Sequence, residues 1–347
     1  RPCGTFDERY SQDMAILRLK RHWGLLVGAL LFLYAFPLFG SYYFISLINS
    51  LCISIIIVLG LQMVSGYCGQ ISFGQAAFMA VGAYTSAILT GKLGLSFFLA
   101  LPISGIVAGL IGLGGGAPSL RIKGFYLAMA TIAIHFVVMW LIPHLDITGK
   151  TQGLHPPAPQ IGSFAFDSDE KIYYIILTVT FLMTYGARNI VRTRGGRAFV
   201  AIRDNDLAAE VMGIEIYRYK LLAFFLSCFY AGIAGSLWAH WIQVVHPEQF
   251  TLLHALNYIG MLIVGGGGSI PGVFFGVLFL RLLDEGVMFA APFLATIFPW
   301  IGIHPAASMS VSVFGIVLIL FLIFEPRGLA HRWEIFKASY RLYPFAH

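Results

Sequence analysis

The residues best suited to chemistry in this chain lie in one charge-rich run, Arg188–Lys220. The run holds seven arginines and lysines against four aspartates and glutamates, a net charge of +3 (7 − 4). Within it, Ala198–Met212 has the composition of a short amphipathic helix, interrupted at Asp204–Asp206 and followed by Gly213. Such a helix, held between two apolar segments, presents charged and small side chains to a partner. The sequence therefore predicts a docking element here.

A second group of charges interrupts an apolar segment nearer the C-terminus and consists of Arg281, Asp284 and Glu285. Their i, i+3, i+4 spacing places them on one helical face, where they can neutralise one another. A structural ion pair near the outer interface is the simpler interpretation. A proton relay or a contact with a substrate is the alternative, because charges inside a membrane span are costly and are usually functional.

Other motifs match catalytic or cofactor-binding patterns only in part. Gly149-Lys150-Thr151 resembles the end of a phosphate-binding loop, but His144 stands where its first glycine is required. Gly112–Ala117 has the spacing of a dinucleotide-binding loop, but no strand precedes it, which favours helix packing. His135 and His240 have no ligand partner at a useful spacing, and the four cysteines form no C-x-x-C pair. We therefore predict no catalytic residue, metal site or cofactor in this chain.

The composition predicts an all-α polytopic membrane protein. Hydrophobic residues make up 58% of the 347 positions and charged residues only 11%, whereas a soluble domain carries about 25% charged residues. The net charge of +6 is therefore no sign of nucleic-acid binding. Ten apolar segments approach the length of a membrane span. Their predicted limits are 23–39, 43–64, 71–91, 97–117, 125–142, 172–186, 221–243, 254–267, 270–291 and 307–325. Eight spans with two re-entrant segments are the alternative.

The distribution of charge predicts the orientation. The loop 143–171 has two lysines and four acids, a net charge of −2 (2 − 4), as expected of an outer loop. The basic clusters fall together on the other side, which the positive-inside rule makes the cytoplasm. The predicted regions are a cytoplasmic tail over 1–22, six transmembrane helices over 23–186, a cytoplasmic coupling loop over 187–220, four transmembrane helices over 221–325 and a cytoplasmic tail over 326–347.

Two uncharged glycine-rich breaks, Ser65–Gly74 and Gly265–Gly272, each follow an apolar helix and lead into a helix containing small residues. Irregular backbone at membrane depth is tolerated where it is buried in protein or lines a cavity. The breaks therefore serve either close helix packing or a polar translocation path. The predicted path residues are Gly66, Gly69, Gln70, Ser72, Gly74 and Gln75 in the first break and Gly265, Gly266, Gly267 and Gly268 opposite.

The chain lacks an energy source of its own. Its first eight predicted spans contain no Asp, Glu, Lys or Arg, whereas proton- and sodium-coupled carriers usually place carboxylates there. A membrane body with a charged cytoplasmic docking element favours a permease driven by a separate ATPase. A channel or secondary carrier with the second charge group at its mouth is the alternative. An intramembrane enzyme would need a catalytic constellation that the sequence lacks.

The chain resembles the permease subunits of ABC importers for branched-chain amino acids, to which urea and short-amide permeases are closely related. The matching segments are SGYCGQISFGQAAFMAVGAY (65–84), PSLRIKGFYLAMATIAI (118–134), TGKTQGL (148–154), GRAFVAIRDNDLAAEVMGIEIYRYKLLAF (196–224), GIAGSLWAH (232–240) and FEPRGL (324–329). Ala208-Ala209, three residues and Gly213 fit the core of the ABC importer coupling motif, with Leu207 in place of a glutamate. The length and the large outer loop favour the longer of two homologous permease types, and Lys150 departs from the expected T-G-G pattern.

This resemblance implies an importer in the bacterial inner membrane, with both termini of the chain in the cytoplasm. Its expected partners are two cytoplasmic ABC ATPase subunits, a second homologous permease subunit, a periplasmic solute-binding protein, a small-molecule solute and the lipid bilayer. ATP and magnesium are expected on the ATPase and not on this chain. The resemblance makes Ala201–Gly213 a coupling helix seated in an ATPase groove; an ordinary surface helix is the alternative. The residues expected at that contact are Ala201, Arg203, Asp204, Asp206, Ala208, Ala209, Glu210 and Gly213.

Overall fold

The fold is described from a computed structural model of the chain. The structure describes residues 20–116, 125–161, 164–297 and 305–342. The predicted tail over 1–22 therefore lies almost wholly outside the described residues, as does the start of the matching segment 118–134. The described residues form two units, one ending at Leu47 and one beginning at Ile48.

Almost all of the described chain is α-helical, which confirms the predicted all-α class. Within the described ranges the α-helices are α1 (Lys20–Ala35), α2 (Tyr42–Leu61), α3 (Gln75–Gly91), α4 (Phe97–Gly116), α5 (Phe125–His144), α6 (Asp169–Arg192), α7 (Arg194–Asp204), α8 (Asp206–Val211), α9 (Ile216–Ile242), α10 (Leu252–Gly265), α11 (Ile270–Ile297), α12 (Pro305–Phe324) and α13 (Gly328–Leu342). A π-helical turn, Gln62–Tyr67, extends α2. Single 3₁₀ turns lie at Phe36–Leu38, Asp146–Thr148, Lys150–Gln152 and Pro247–Gln249.

Five helices in the described ranges are long and apolar enough to cross a membrane: α2 with its π-helical turn, α4, α5, α6 and α9. Two bent pairs meet the same test together. The segments Pro247–Gly265 and Ile270–Ala290 are bent by 120°, and Met309–Phe324 and Gly328–Ser339 by 47°. Length and composition therefore give five spans, or up to seven if each bent pair is one span. The protein is a multi-pass membrane protein, and the counts of ten and eight stay predictions.

Several predicted segment limits differ from the helices, and two of these differences bear on the candidate site. The segment predicted at 172–186 is the longer α6, which continues through Arg188 to Arg192. An α-helix satisfies the hydrogen bonds of its own backbone, so α6 can continue past its last apolar residue. The polar side chains of its final turns then reach water. The coupling loop predicted from 187 therefore begins inside α6. At 71–91 the helix starts only at Gln75, after Gly74.

The centre of the second unit is built from α3, α4 and α9, which pack more extensively on one another than any other helices described. Small residues make this possible. A Cβ atom on Gly82 of α3 would lie 2.3 Å from the carbonyl oxygen of Gly232 of α9. A Cβ atom on Gly232 would lie 2.6 Å from Ala108 Cβ of α4. Since lipid provides no hydrophobic drive between helices, such close contact is what holds them together.

The loop between α5 and α6, predicted to lie outside the membrane, is tied to the end of α9. Leu154 N donates to Val245 O (3.1 Å), and Val245 N donates to Leu154 O (2.9 Å). A two-residue hairpin, β1 (Gln160–Ile161) with β2 (Phe164–Ala165), follows. Lys171 donates to Asp167 (2.7 Å), and this hydrogen bond lowers the pKa of the Asp167 carboxyl. The loop is thus an ordered part of the fold.

Replacing Gly82 with alanine tests the glycine packing. The added methyl group would meet backbone, so α3 and α9 must separate, and we expect a loss of about 1–3 kcal/mol in stability. The matched control is Gly114→Ala in α4, where an added Cβ meets nothing within 4 Å and helix propensity favours alanine by about 1 kcal/mol. The measurement is the thermal unfolding midpoint in detergent. Equal midpoints for the two variants would contradict the packing model.

Candidate functional site

The two glycine-rich breaks lie against each other. A Cβ atom on Gly66 would be 2.9 Å from Gly268 N, and Gln62 Nε2 donates to Ser269 O (3.1 Å). Gln62 is completely buried, and its Oε1 has no hydrogen-bond partner among the described residues. The structure thus places Gly267 and Gly268 of the second break beside Gly66 of the first, while the translocation path itself stays a prediction.

Both breaks require backbone conformations that glycine adopts most easily. In the first, the π-helical turn widens the end of α2, and Gly69 has φ +71°. In the second, α10 ends at Gly265, and Gly266 and Gly268 have φ +106° and +87°. A side chain at these positive φ values would be strained. These turns leave carbonyl and amide groups that the helices themselves do not satisfy.

Arg203, in the last turn of α7, reaches into the junction of the breaks. Its Nη1 donates to Gly66 O (3.0 Å), while Nε and Nη2 donate to Asp204 Oδ1 (3.1 Å each). A Cβ atom on Gly268 would lie 2.6 Å from Nη1, and one on Gly69 would lie 2.9 Å from Cγ. We call this contact of Arg203 with Gly66 and Gly268 the Arg203 clamp. It joins the predicted coupling segment directly to the predicted path.

A cavity of about 660 Å³ lies beside the Arg203 clamp. The breaks form one wall, and the C-terminal helix α13 and the turn before it form another. Polar and small lining residues include Ser65, Gly66, Arg203, Gly266, Gly267, Gly268, Ser269, Arg327, Ala330, His331 and Glu334. A Cβ atom on Gly328 would lie 2.5 Å from Gly266 N, so α13 starts in direct contact with the second break. The junction therefore joins elements far apart in the chain.

The structure replaces the predicted single helix over 201–213 with two. Residues 201–204 form the last turn of α7, Asn205 is extended (φ −160°, ψ 106°), and α8 follows. The Asn205 side chain accepts a hydrogen bond from Ala208 N (3.1 Å). Asparagine favours such caps over helix interiors because its side chain competes for backbone groups. Gly213, at φ +82°, ends the segment, with Gly213 N donating to Glu210 O (2.9 Å).

The two alanines of α8 face opposite ways. Ala209 is only 3% exposed and packs against this chain, so it is not free to approach a partner as predicted. Ala208 is exposed, as are three apolar side chains: Leu207 at 66%, Val211 at 87% and Met212 at 81%. We call these four residues the α8 face. The sequence analysis missed the three apolar ones, although apolar residues at i, i+4 and i+5 in a charge-rich segment are a detectable signal.

The polar side chains of the predicted path divide into two kinds. Gln75 is fully engaged in the core: its Nε2 donates to Ser227 O (3.1 Å), and its Oε1 accepts from Ser227 Oγ (3.1 Å). At this position the structure favours helix packing. Gln70 Oε1 and Ser72 Oγ are buried and have no hydrogen-bond partner among the described residues. Gly74 lies against Phe78, at 3.0 Å for an added Cβ.

The sequence predicts that Arg281, Asp284 and Glu285 neutralise one another, but Arg281 does not pair with Asp284 in the structure. Arg281 donates to Ser54 Oγ of α2, from Nε (3.3 Å) and Nη2 (2.8 Å). Asp284 Oδ1 accepts from Ser310 Oγ of α12 (2.9 Å). Glu285 is half-buried. The side chains of Arg281 and Asp284 are directed to different neighbouring helices, which explains the difference from the prediction.

His240 is a hydrogen-bonded histidine of the helix bundle. Its Nε2 lies 3.2 Å from Thr90 Oγ1, and its Nδ1 lies 2.9 Å from Ser236 O. His135 is buried, and its Nδ1 has no partner among the described residues. Across the described ranges no group of three or more His, Cys, Asp or Glu residues could hold a metal ion.

The described residues form a bundle of apolar helices with an exposed, charge-rich segment, and comparisons with known proteins assign the chain to a family of membrane permeases. The family model described as "Branched-chain amino acid transport system / permease component" matches residues 43–322. This range includes both breaks, the Arg203 clamp, the α8 face and the second charge group.

Known relatives extend the match over most of the chain. The high-affinity branched-chain amino acid transport system permease protein LivM of Escherichia coli (strain K12) is 29% identical over 329 residues, covering 88% of this chain and 74% of that protein. The probable branched-chain amino acid transport permease protein LivM of Methanocaldococcus jannaschii is 25% identical over 338 residues, covering 84% and 90%. The autoinducer 2 import system permease protein LsrC of Enterobacter sp. (strain 638) is 33% identical over 122 residues, covering 33% and 36%. No solved structure matches the chain.

Replacing Arg203 with alanine tests the Arg203 clamp. Loss of a charge-assisted hydrogen bond between α7 and the first break removes about 1.5–3 kcal/mol. We therefore expect backbone amides at 66–70 and 266–269 to exchange hydrogen for deuterium about tenfold faster. Arg194→Ala is the matched control, because Arg194 is an exposed arginine of the same helix. Unchanged exchange at both breaks in the Arg203 variant would show that the contact does not hold them.

Proposed function

Because the chain belongs to the branched-chain amino acid transport permease family and is a permease subunit of an ABC importer, we propose that it moves branched-chain or similar amino acids across the bacterial inner membrane. It does so in a complex with two cytoplasmic ABC ATPase subunits, a second homologous permease subunit and a periplasmic binding protein. The observation that supports this proposal most directly is the exposed α8 face. A single residue, Asn205, separates α8 from α7, the helix that carries Arg203.

The α8 face is the docking surface for the ATPase. Leu207, Val211 and Met212 are apolar and largely exposed in a segment otherwise rich in charge. Burying them in a groove gains about 25 cal/mol for each Å² of apolar surface removed from water. Asp204 and Glu210 are exposed beside them and suit the polar rim of such an interface. A contact patch with an apolar centre and charged edges fits a protein partner.

Movement of α8 is transmitted to the membrane through Arg203. Only Asn205 separates α8 from the last turn of α7, which carries Arg203. When ATP binding closes the ATPase pair, α8 moves with its groove and draws the guanidinium away from Gly66 and Gly268. The breaks then separate, and the path past Gln70 and Ser72 opens inward. One charge-assisted hydrogen bond, about 1.5–3 kcal/mol, is a barrier that such a movement can overcome.

A channel or secondary carrier is the second candidate, favoured by Arg281 and Asp284 inside the apolar helix α11. Uptake into vesicles with an imposed ion gradient and no ATP separates the two functions. A urea or short-amide permease of the same family is the alternative for the solute. Competition of labelled leucine uptake by unlabelled valine, urea or acetamide separates these solute classes.

The first test of the proposed function is affinity purification of the tagged chain from mild detergent. We expect an ABC ATPase to co-purify with it, and to be lost when residues 201–213 are scrambled. A pure permease that moves solute down an ion gradient without ATPase would contradict the proposal.

A single substitution on the α8 face makes a sharper prediction. Val211→Asp places a charge where the ATPase groove should be apolar, so we expect at least tenfold less ATPase co-purification, a loss of about 1.4 kcal/mol or more in binding. Ile147→Asp is the matched control, because Ile147 is an equally apolar residue, 52% exposed, in the predicted outer loop. Both variants should retain the elution profile of the unmodified chain.

The two alanines provide an internal comparison. Ala208→Arg should abolish ATPase association while the permease stays folded, because Ala208 is exposed. Ala209→Arg should instead lower the yield of monodisperse protein, because Ala209 is buried against this chain. The measurements are size-exclusion chromatography and ATPase recovery. The reverse pattern would show that the orientation of α8 is wrong.

A further inference from the structure

Arg281 is a permanently charged side chain in the interior of a long apolar helix. It lies eleven residues after Ile270, the start of α11, which is about 16 Å along a helix axis. Its hydrogen-bond partner Ser54 lies halfway along the candidate span Tyr42–Tyr67. The hydrocarbon core of a membrane is about 30 Å thick, so this contact puts Arg281 near the middle of the core. A charge at this depth is expensive and usually serves a function.

The protein gives this charge only a neutral partner. Two of the guanidinium nitrogens share one acceptor, Ser54 Oγ, in a serine that is 1% exposed. From α10, His254 and Tyr258 are close enough to interact electrostatically with Arg281. None of the ion pairs found among the described residues includes Arg281. A serine hydroxyl accepts a hydrogen bond but supplies no negative charge, so the guanidinium is left without a counter-ion in the described chain.

An acidic residue lies one helical turn away and is held apart from Arg281. Asp284 Oδ1 accepts a hydrogen bond from Ser310 Oγ (2.9 Å) of α12, whereas Arg281 is directed to α2. Both side chains are half-buried and therefore accessible. Residues at i and i+3 lie about 5–6 Å apart at their Cβ atoms. The arrangement places a positive and a negative side chain one turn apart on α11, each hydrogen-bonded to a neutral hydroxyl of a different neighbouring helix.

We propose that Arg281 and Asp284 form a binding site for a zwitterionic amino acid at mid-depth of the membrane, with Arg281 binding the carboxylate and Asp284 the ammonium group. This inference rests on the proposed importer function and names the substrate class that its path selects. The guanidinium matches a carboxylate in a bidentate geometry, and the solute supplies the counter-charge that Ser54 lacks. A neutral urea or amide would leave both charges uncompensated and is disfavoured.

The test uses the complete importer reconstituted in liposomes, with ATP and leucine-loaded binding protein. We expect Arg281→Gln to lower leucine uptake by about tenfold or more, since a charge-assisted hydrogen bond is lost. Arg281→Lys should retain more uptake than Arg281→Gln. Assembly of the complex should be unchanged. Ser54→Ala is the matched control: it removes the observed hydrogen-bond partner but leaves the guanidinium, and should transport nearly as well as the unmodified complex.

A second variant separates charge from structure. In Arg281→His, the imidazole becomes charged as the pH falls through its usual pKa of about 6.5. Uptake by this variant, relative to the unmodified complex at the same pH, should therefore rise from pH 8 to pH 6. A purely structural hydrogen bond to Ser54 would not produce this rise.

The outcomes distinguish the two hypotheses. An unmodified complex that moves no amino acid contradicts the proposed function and, with it, the proposed binding site. Normal uptake by Arg281→Gln contradicts the binding site alone. An equal loss of uptake in Ser54→Ala and Arg281→Gln would show that Arg281 has a structural role. Loss of complex assembly in Arg281→Gln would show that Arg281 pairs with another subunit. Either result overturns the inference. If Arg281→Gln does not fold, the pH response of Arg281→His decides, and a flat response overturns it.

Discussion

Within a membrane, each backbone amide and carbonyl must find a hydrogen-bond partner inside the protein, because lipid offers none. Continuous helices meet this requirement by themselves, but the two glycine-rich breaks do not. In this protein the breaks are placed against each other, and a guanidinium from outside the helix bundle donates to one of the carbonyls they expose. Arg203 therefore satisfies backbone in the membrane body while it belongs to the charged segment. The same contact that stabilises the break connects it to the predicted docking element.

The helices around this junction are held together by shape. With no hydrophobic drive in lipid, α9 contacts α3 and α4 through glycines that bring backbone to backbone. Gln75, which was predicted to line the path, belongs to this packed core through its hydrogen bonds with Ser227. The tightly packed centre of α3, α4 and α9 thus differs from the junction of the two breaks, where glycines leave few side chains to pack. The tightly packed centre resists movement, and the glycine-rich junction is where we propose that the chain opens.

Some polar groups that the membrane body leaves without full partners lie on the proposed solute path. Gln70 and Ser72 are buried with unpartnered oxygens, and Arg281 has a neutral acceptor in place of a counter-ion. Leaving such groups uncompensated costs stability. In an apolar protein this cost is accepted at few positions, and among the described residues these include the first break and α11.

The sequence by itself determined the features that depend on composition and short-range pattern. These are the all-α membrane class, the positions of most helices, the two glycine-rich breaks and the charged segment that carries the docking element. Tertiary structure decided what depends on long-range contact. Arg203 meets Gly66 across 137 residues, and Arg281 meets Ser54 across 227. Packing also decided that Ala209 faces the chain and Ala208 faces outward, because a short helix has no fixed rotation until its neighbours are in place. Local patterns specify which residues form a helix, whereas only packing specifies which of them are available to a partner.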